Sequence, residues 1–169
     1  QALAKFEQKA PTLVMFDARL QSYSKVVRDA KAMETELDIG FVRVSVGSLN
    51  ESIEQHASAW IGGITKLLNA MARPELLAMH EETTDLTEAL HRSPDTLEDL
   101  QFVLNQVADI GRRSMEVELH IAALEEKYRT LRMYEFEEPE EEASIIDGLH
   151  GFWGELCNAA KVRDRSLSA

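Results

Sequence analysis

The chain has 169 residues, 44% of them apolar, and a formal net charge of -12 from 30 acidic and 18 basic side chains. That composition supports a packed core and excludes global disorder. An acidic surface repels phosphate backbones and anionic headgroups, so neither nucleic acid nor a membrane is an expected partner.

The first residues, Gln1-Ala2-Leu3-Ala4-Lys5-Phe6, carry neither a start Met nor the apolar core of a signal peptide, so a piece of a longer chain is expected. Pro11 suits the first turn of a helix, where its missing N–H costs nothing. From there Leu13, Phe16, Leu20, Tyr23, Val27, Ala30 and Leu37 recur at helical steps, with Met33 or Glu34 filling one gap. The spacing predicts a helix to about Glu36 that Gly40 ends. Residues 41–46, Phe-Val-Arg-Val-Ser-Val, alternate apolar and polar, and without a partner strand they read as an extended connector.

Ser48-Leu49-Asn50-Glu51 fits a capping box. The helix it opens presents Leu49, Ile53, Ala57, Trp60, Ile64, Leu67 and Met71 on one face. Gly62-Gly63 interrupts that face and permits a close crossing or a kink. Pro74 is expected to restart the chain in a shorter helix through Leu76, Leu77, Leu86 and Leu90. The polar middle of that helix, residues 81–85, is expected to be poorly buried.

Ser93-Pro94-Asp95 combines a capping residue, a first-turn proline and an acid near a positive helix end. Leu97, Leu100, Leu104 and Val107 follow, then one irregular step to Ile110, then Ser114, Val117, Ile121, Leu124, Tyr128 and Leu131. Roughly 40 such residues make a helix of about 60 Å. Near-heptad spacing with one stammer predicts coiled-coil-like packing against neighbouring helices. The acids around Pro139, from Glu135 to Glu142, read as a solvated loop and an acid-favouring helix start. A last helix carries Ile145, Leu149, Phe152, Leu156, Ala159 and Val162, widened by Trp153 and Ala160. The lone Cys157 follows Trp153 and Leu156 and reads as a buried structural thiol.

The fold class expected is all-α: an elongated antiparallel helical bundle with long coiled-coil-like helices and one short extended connector near 40–47. Residues 1–92 form a first helical segment, and residues 93–169 hold the long helix, the acidic loop and the following helix.

Chemistry is sparse. Gly62-Gly63-Ile64-Thr65-Lys66 lacks the spacing of a phosphate-binding loop, and His80-Glu81-Glu82-Thr83-Thr84 has Thr84 where a zinc motif needs a second His. A di-metal carboxylate bundle would use Glu88 with His91, Asp147 with His150, and Glu116 with His120, all projecting inward. Against it, His91 stands at a helix end, where His often meets terminal carbonyls. No catalytic, cofactor-binding or metal-ligating residue is assigned, and no cofactor is expected.

Four stretches taken in order resemble the tail of axonemal dynein heavy chains. They are Ile39-Gly40-Phe41-Val42-Arg43-Val44 leading to Leu49 and Trp60; Ser93 to Leu100; Glu116-Val117-Glu118 running to Tyr128 and on to Tyr134; and Leu149, Trp153 and Leu156 after the acidic loop. The resemblance covers residues from about 39 to 160 and rests on packing patterns, not on a catalytic signature. It implies a scaffold segment N-terminal to the linker and motor, which supports subunit assembly and axonemal docking and transmits force to a microtubule motor. The implied partners are other dynein heavy chains, intermediate and light chains and docking proteins, in the cytoplasm, the cytoskeleton and the axoneme of a cilium or flagellum. None of the motor's ATP-binding residues is in this sequence, so the segment is expected not to be an enzyme. The alternatives are a spectrin-like helical adaptor, for which no regular repeat is visible, and the metal-bearing bundle enzyme.

Overall fold

The structure is a computed structural model that describes residues 1–33, 36–40 and 42–168. The expectations placed on Glu34 and Phe41 lie outside these residues. Five helices and one hairpin are present among the described residues: α1 (Ala2–Gln8), α2 (Leu13–Ala32), β1 (Glu36–Ile39), β2 (Val42–Ser45), α3 (Gly47–Leu90), α4 (Leu97–Met133) and α5 (Glu140–Ser168). The protein is all-α with antiparallel helix packing. Among the described residues no helix is long and apolar enough to cross a membrane.

Two compact units form. The first combines residues 1–70 with 130–137, and the second combines 71–129 with 138–169. They interleave along the chain, whereas a division after residue 92 follows the order of elements.

In the first unit, α2 begins later than expected. Thr12 is its N-cap, with the hydroxyl accepting from the Met15 N–H at 3.4 Å, and Pro11 is buried just before it. The helix stops at Ala32, so Gly40 does not end it. Instead Gly40 takes φ 62 between Ile39 and Val42, which are paired. A two-residue hairpin turn needs such a φ, and glycine adopts it without steric cost. The expected lone connector is therefore half of a hairpin. Its partner, β1, lies in residues assigned to the preceding helix, where Leu37 had passed as one more helical step.

Helix α3 runs unbroken through Gly62, Gly63 and Pro74, correcting both expected interruptions. A methyl group added at Gly63 would lie 2.9 Å from Cδ1 of Leu3, so glycine there lets α1 approach closely. Phe6 meets Phe16 edge-on at 5.1 Å, and Arg19 stacks on Phe6 at 4.9 Å, tying α1 to α2. Tyr23 stacks on Trp60 at 5.8 Å and Lys31 pairs with Glu54, so α2 and α3 run antiparallel. The expected cap at Ser48 sits inside the first turn, because the helix starts at Gly47. Leu49 and Ile53 are exposed, while Thr83, in the stretch expected to be poorly buried, is fully buried. Its hydroxyl donates to the Met79 carbonyl at 2.8 Å, so its own helix satisfies it.

The second unit is an up-down-up bundle. Glu75 pairs with Lys127 and Glu82 with Arg113, while Arg92 stacks on Phe102, so α3 and α4 run antiparallel. Tyr128 meets Glu142 and Ser114 meets Cys157, so α4 and α5 are antiparallel too. The His80–Phe152 ring contact and the Arg163 bond to the Arg92 carbonyl then run α3 and α5 in the same direction. Helix α4 starts at Leu97 with Thr96 as its cap, in place of the expected cap at Ser93. The Thr96 hydroxyl accepts from the Asp99 N–H while Asp99 accepts from the Thr96 N–H, both at 3.1 Å, a reciprocal cap with Asp in the distal place.

The stammer expected in α4 is absent. Val103, Ile110, Val117, Leu124 and Leu131 are buried at strict seven-residue intervals, with Ile121 and Tyr128 on the alternate seam position. Leu97 is 80% exposed and Leu104 half-buried, so neither belongs to this seam. In α5 the buried line is Glu142, Ile146, Leu149, Trp153, Leu156 and Ala160; Leu149, Trp153, Leu156 and Ala160 were expected there, Ile145, Phe152 and Ala159 are half-buried at its edge, and Val162 is exposed. At the far end of α4, Glu135 takes φ 58, with the Phe136 N–H donating to Leu131 and the Glu135 N–H to Arg132. That is a Schellman ending with Glu where glycine is usual.

Two outcomes are expected. Trp153 is 2% exposed, so Trp153→Ala should cost about 3–5 kcal/mol in denaturant unfolding; an unchanged midpoint would refute its core role. Pro74 is exposed and gives the Ala70 carbonyl no N–H partner. Pro74→Ala should therefore raise stability by about 1–3 kcal/mol.

Candidate functional site

The residues considered for metal chemistry are dispersed on the surface. Glu88, His91, Asp147, His150, Glu116 and His120 are all exposed, so they do not project into a bundle interior. His91 donates from Nδ1 to the Thr87 carbonyl at 2.7 Å, the helix-end role expected of it, and His150 lies 3.7 Å from Glu125. His80 turns its ring to Phe152, while the Thr83 and Thr84 hydroxyls donate to backbone carbonyls. Among the described residues no three His, Cys, Asp or Glu side chains gather to hold a metal ion. Gly62 to Lys66 lies within α3, not in a loop.

Two features do gather polar groups. In the second unit the Tyr128 hydroxyl donates to Oε1 of Glu142 at 2.8 Å, and Glu142 is only 1% exposed. Glu142 was expected in the outward acidic loop; the structure instead buries it in the first turn of α5. Acids favour a helix start, and a tyrosine hydroxyl one turn from the end of α4 supplies the donor its burial requires. Burial first, then the bond to Glu142, pushes the Tyr128 phenol well above its ordinary value. Tyr128 falls in the apolar series of α4 and Glu142 stands seven residues before Leu149, but its charge groups it in the sequence with the acids around Pro139.

The second feature is a cleft of about 730 Å³ in the first unit, between α2, α3 and residues 133–137. Arg28, Lys31 and Lys66 stand on its helical walls, with Glu135 and Glu137 on the returning segment and Phe136 within it. Burial raises the phenol of neighbouring Tyr134, and Asp17 adds to the shift. Trp60, expected in the core, is half-buried instead and donates from Nε1 to His56 at 3.1 Å. Cys157 is likewise half-buried, its Sγ 3.7 Å from the Ser114 hydroxyl.

No family model matches the chain. Over 92% of its length it is 35% identical to dynein axonemal heavy chain 10 of Homo sapiens. Over 98% it is 35% identical to the dynein-1-alpha heavy chain of the flagellar inner arm I1 complex of Chlamydomonas reinhardtii. Its homologues are axonemal dynein heavy chains. Dynein axonemal heavy chain 2 of Mus musculus is a further one, 28% identical over 89% of the chain. The chain spans 4% of the length of the first two relatives and 3% of the third. The likeness to axonemal dyneins thus covers nearly all of this chain and a small part of each relative.

The Tyr128–Glu142 pair yields a pH dependence of stability. A phenol whose folded pKa is raised contributes stability that is complete below its unfolded pKa, near 10, and is lost as pH rises toward the folded value. Stability should therefore fall above about pH 10 more steeply in the wild type than in Tyr128→Phe. At neutral pH that substitution should cost about 1–3 kcal/mol, because it removes a donor from a buried carboxylate. Urea midpoints measured across pH check both statements.

Proposed function

We propose that this chain is a structural segment of an axonemal dynein heavy-chain tail, N-terminal to the linker and motor. It supports subunit assembly and axonemal docking and transmits force to the microtubule motor. The observation that carries the reading is 35% identity across nearly the whole chain to axonemal heavy chains, in a protein built from long heptad-seamed helices. Its homologues point to the cytoskeleton of a cilium or flagellum, within a protein assembly.

Physical features support a mechanical role. Helices α3 and α4 have 44 and 37 residues, and side chains from opposite helices of the second unit meet at several levels. A closely packed interior has low compressibility and transmits strain. ATP hydrolysis belongs to other parts of such a heavy chain, and this segment contributes no catalytic residue or cofactor site. Its partners are other heavy chains, intermediate and light chains and docking proteins.

Blotting isolated cilia with an antibody to this chain tests the reading. The expected result is one polypeptide far larger than 169 residues, retained on the axoneme and released by high salt. A band of the chain's own size, absent from the axoneme, would overturn it.

A further inference from the structure

The joint between α2 and α3 in the first unit carries a hydrogen bond that depends on protonation. Trp60 Nε1 lies 3.1 Å from Nε2 of His56, one turn earlier on α3. An indole N–H only donates, so Nε2 of His56 accepts and the proton of its neutral ring sits on Nδ1. An imidazolium carries a proton on both nitrogens and has no lone pair to offer. The bond therefore exists with the neutral ring only.

That bond holds the inner partner of a helix–helix contact. The Trp60 indole lies flat on Tyr23 of α2, with ring centroids 5.8 Å apart and planes 4° from parallel. His56 stands edge-on to the same indole, its ring plane turned by 73°. By engaging Nε1 it fixes the rotation of the indole, and Tyr23 covers the face so presented. Trp60 is half-buried and His56 exposed, so protons from solvent reach the imidazole directly.

The charged groups that flank this contact have other engagements. On α3 the residues one turn either side of His56 are Ser52, Ile53, Ala59 and Trp60, and Glu51 lies on another side of the helix. Across the joint, Tyr23 is the titratable group that meets the pair, and Lys31 of α2 pairs with Glu54 at 3.5 Å. Arg19 lies over the Phe6 ring, and Arg28 lines the cleft with Ser58 and Ile61. Of α1, which packs here through Leu3 and Phe6, Lys9 stands with Arg19 and Ser22.

We propose that His56 and Trp60 form an acid-sensitive latch in the first unit. Protonation of His56 breaks its bond to the indole, frees Trp60 to turn and loosens the Tyr23 stack that joins α2 to α3. The latch is closed where the ring is neutral and opens as pH falls through the range in which imidazoles protonate, about pH 8 to 5. Its direction is the reverse of the Tyr128 dependence, which acts at high pH. It concerns the first unit alone, so it stands or falls separately from the heavy-chain tail reading.

Nuclear magnetic resonance of the 15N-labelled 169-residue protein tests the latch. The chain has two tryptophans, and Trp60→Phe identifies which indole N–H signal belongs to Trp60. At about pH 8, long-range proton–nitrogen spectra should show His56 with its proton on Nδ1. On titration to about pH 5 the Trp60 N–H signal should move upfield with the midpoint of the His56 ring, and the Tyr23–Trp60 Overhauser cross-peaks should be lost. His56→Gln, at an exposed position, offers a carbonyl oxygen that accepts at every pH, so both acid responses should vanish there while Tm at about pH 8 is kept. A proton on Nε2 at the start, or an indole signal that ignores the His56 titration, would overturn the proposal. Cross-peaks that survive protonation of His56 would also overturn it, since the stack would then not depend on the bond. Equal acid responses in His56→Gln would do the same, assigning them to another titrating group.

Discussion

A seven-residue spacing of apolar side chains on α4 is the constraint from which the second unit follows. Side chains repeated at that interval keep facing a neighbouring helix only if its axis stays nearly aligned with theirs, in either direction, along the length of the contact. Helices α3 and α5 meet that demand from two directions, and α5 carries its own line at the same spacing, from Glu142 to Ala160. The polar contacts between helices then fall where the seams bring their flanks together: Glu75 with Lys127, Glu82 with Arg113, Ser114 with Cys157. Half-exposed ion pairs of this kind contribute modestly to stability. Apolar burial holds the helices together, and the charges decorate a geometry already fixed.

The first unit is built differently. Its joints are aromatic and small-residue contacts over short distances: Phe6 on Phe16, Tyr23 on Trp60, and Leu3 against Gly63. Helix α1 has only 7 residues, too few to be stable by itself, so these contacts are what keep it folded. The Schellman turn after α4 brings Phe136 back toward the walls formed by α2 and α3 and so creates the cleft there. One unit thus rests on long seams, the other holds a cleft closed by a returning loop.

Helix identity and the all-α class were legible because periodicity survives errors of a residue or two. Three things were not. Gly and Pro were read as breakers, yet α3 passes through Gly62, Gly63 and Pro74, because packing over 44 residues outweighs local penalties of a few kcal/mol. The hairpin was half seen: Leu37 fitted the helical step count, and a β-strand of four residues has too few alternations to outvote it. The irregular step in α4 arose from two apolar rows read as one. Leu97 and Leu104 belong to the outer row, and substituting Val103 for Leu104 restores an unbroken heptad. The metal candidates could be set aside only with coordinates, since sequence separation says nothing about which way Glu88 or His150 faces.

A heptad seam has one weakness: it is nearly periodic along its own axis. Sliding α5 past α4 by one repeat, about 10 Å at 1.5 Å per residue, would again set aliphatic groups against aliphatic groups. Dispersion and burial distinguish the two alignments poorly. Tyr128 and Glu142 distinguish them sharply, because any slip strands a buried carboxylate away from its hydroxyl donor. The pair thus gives a nearly periodic surface a single registered position.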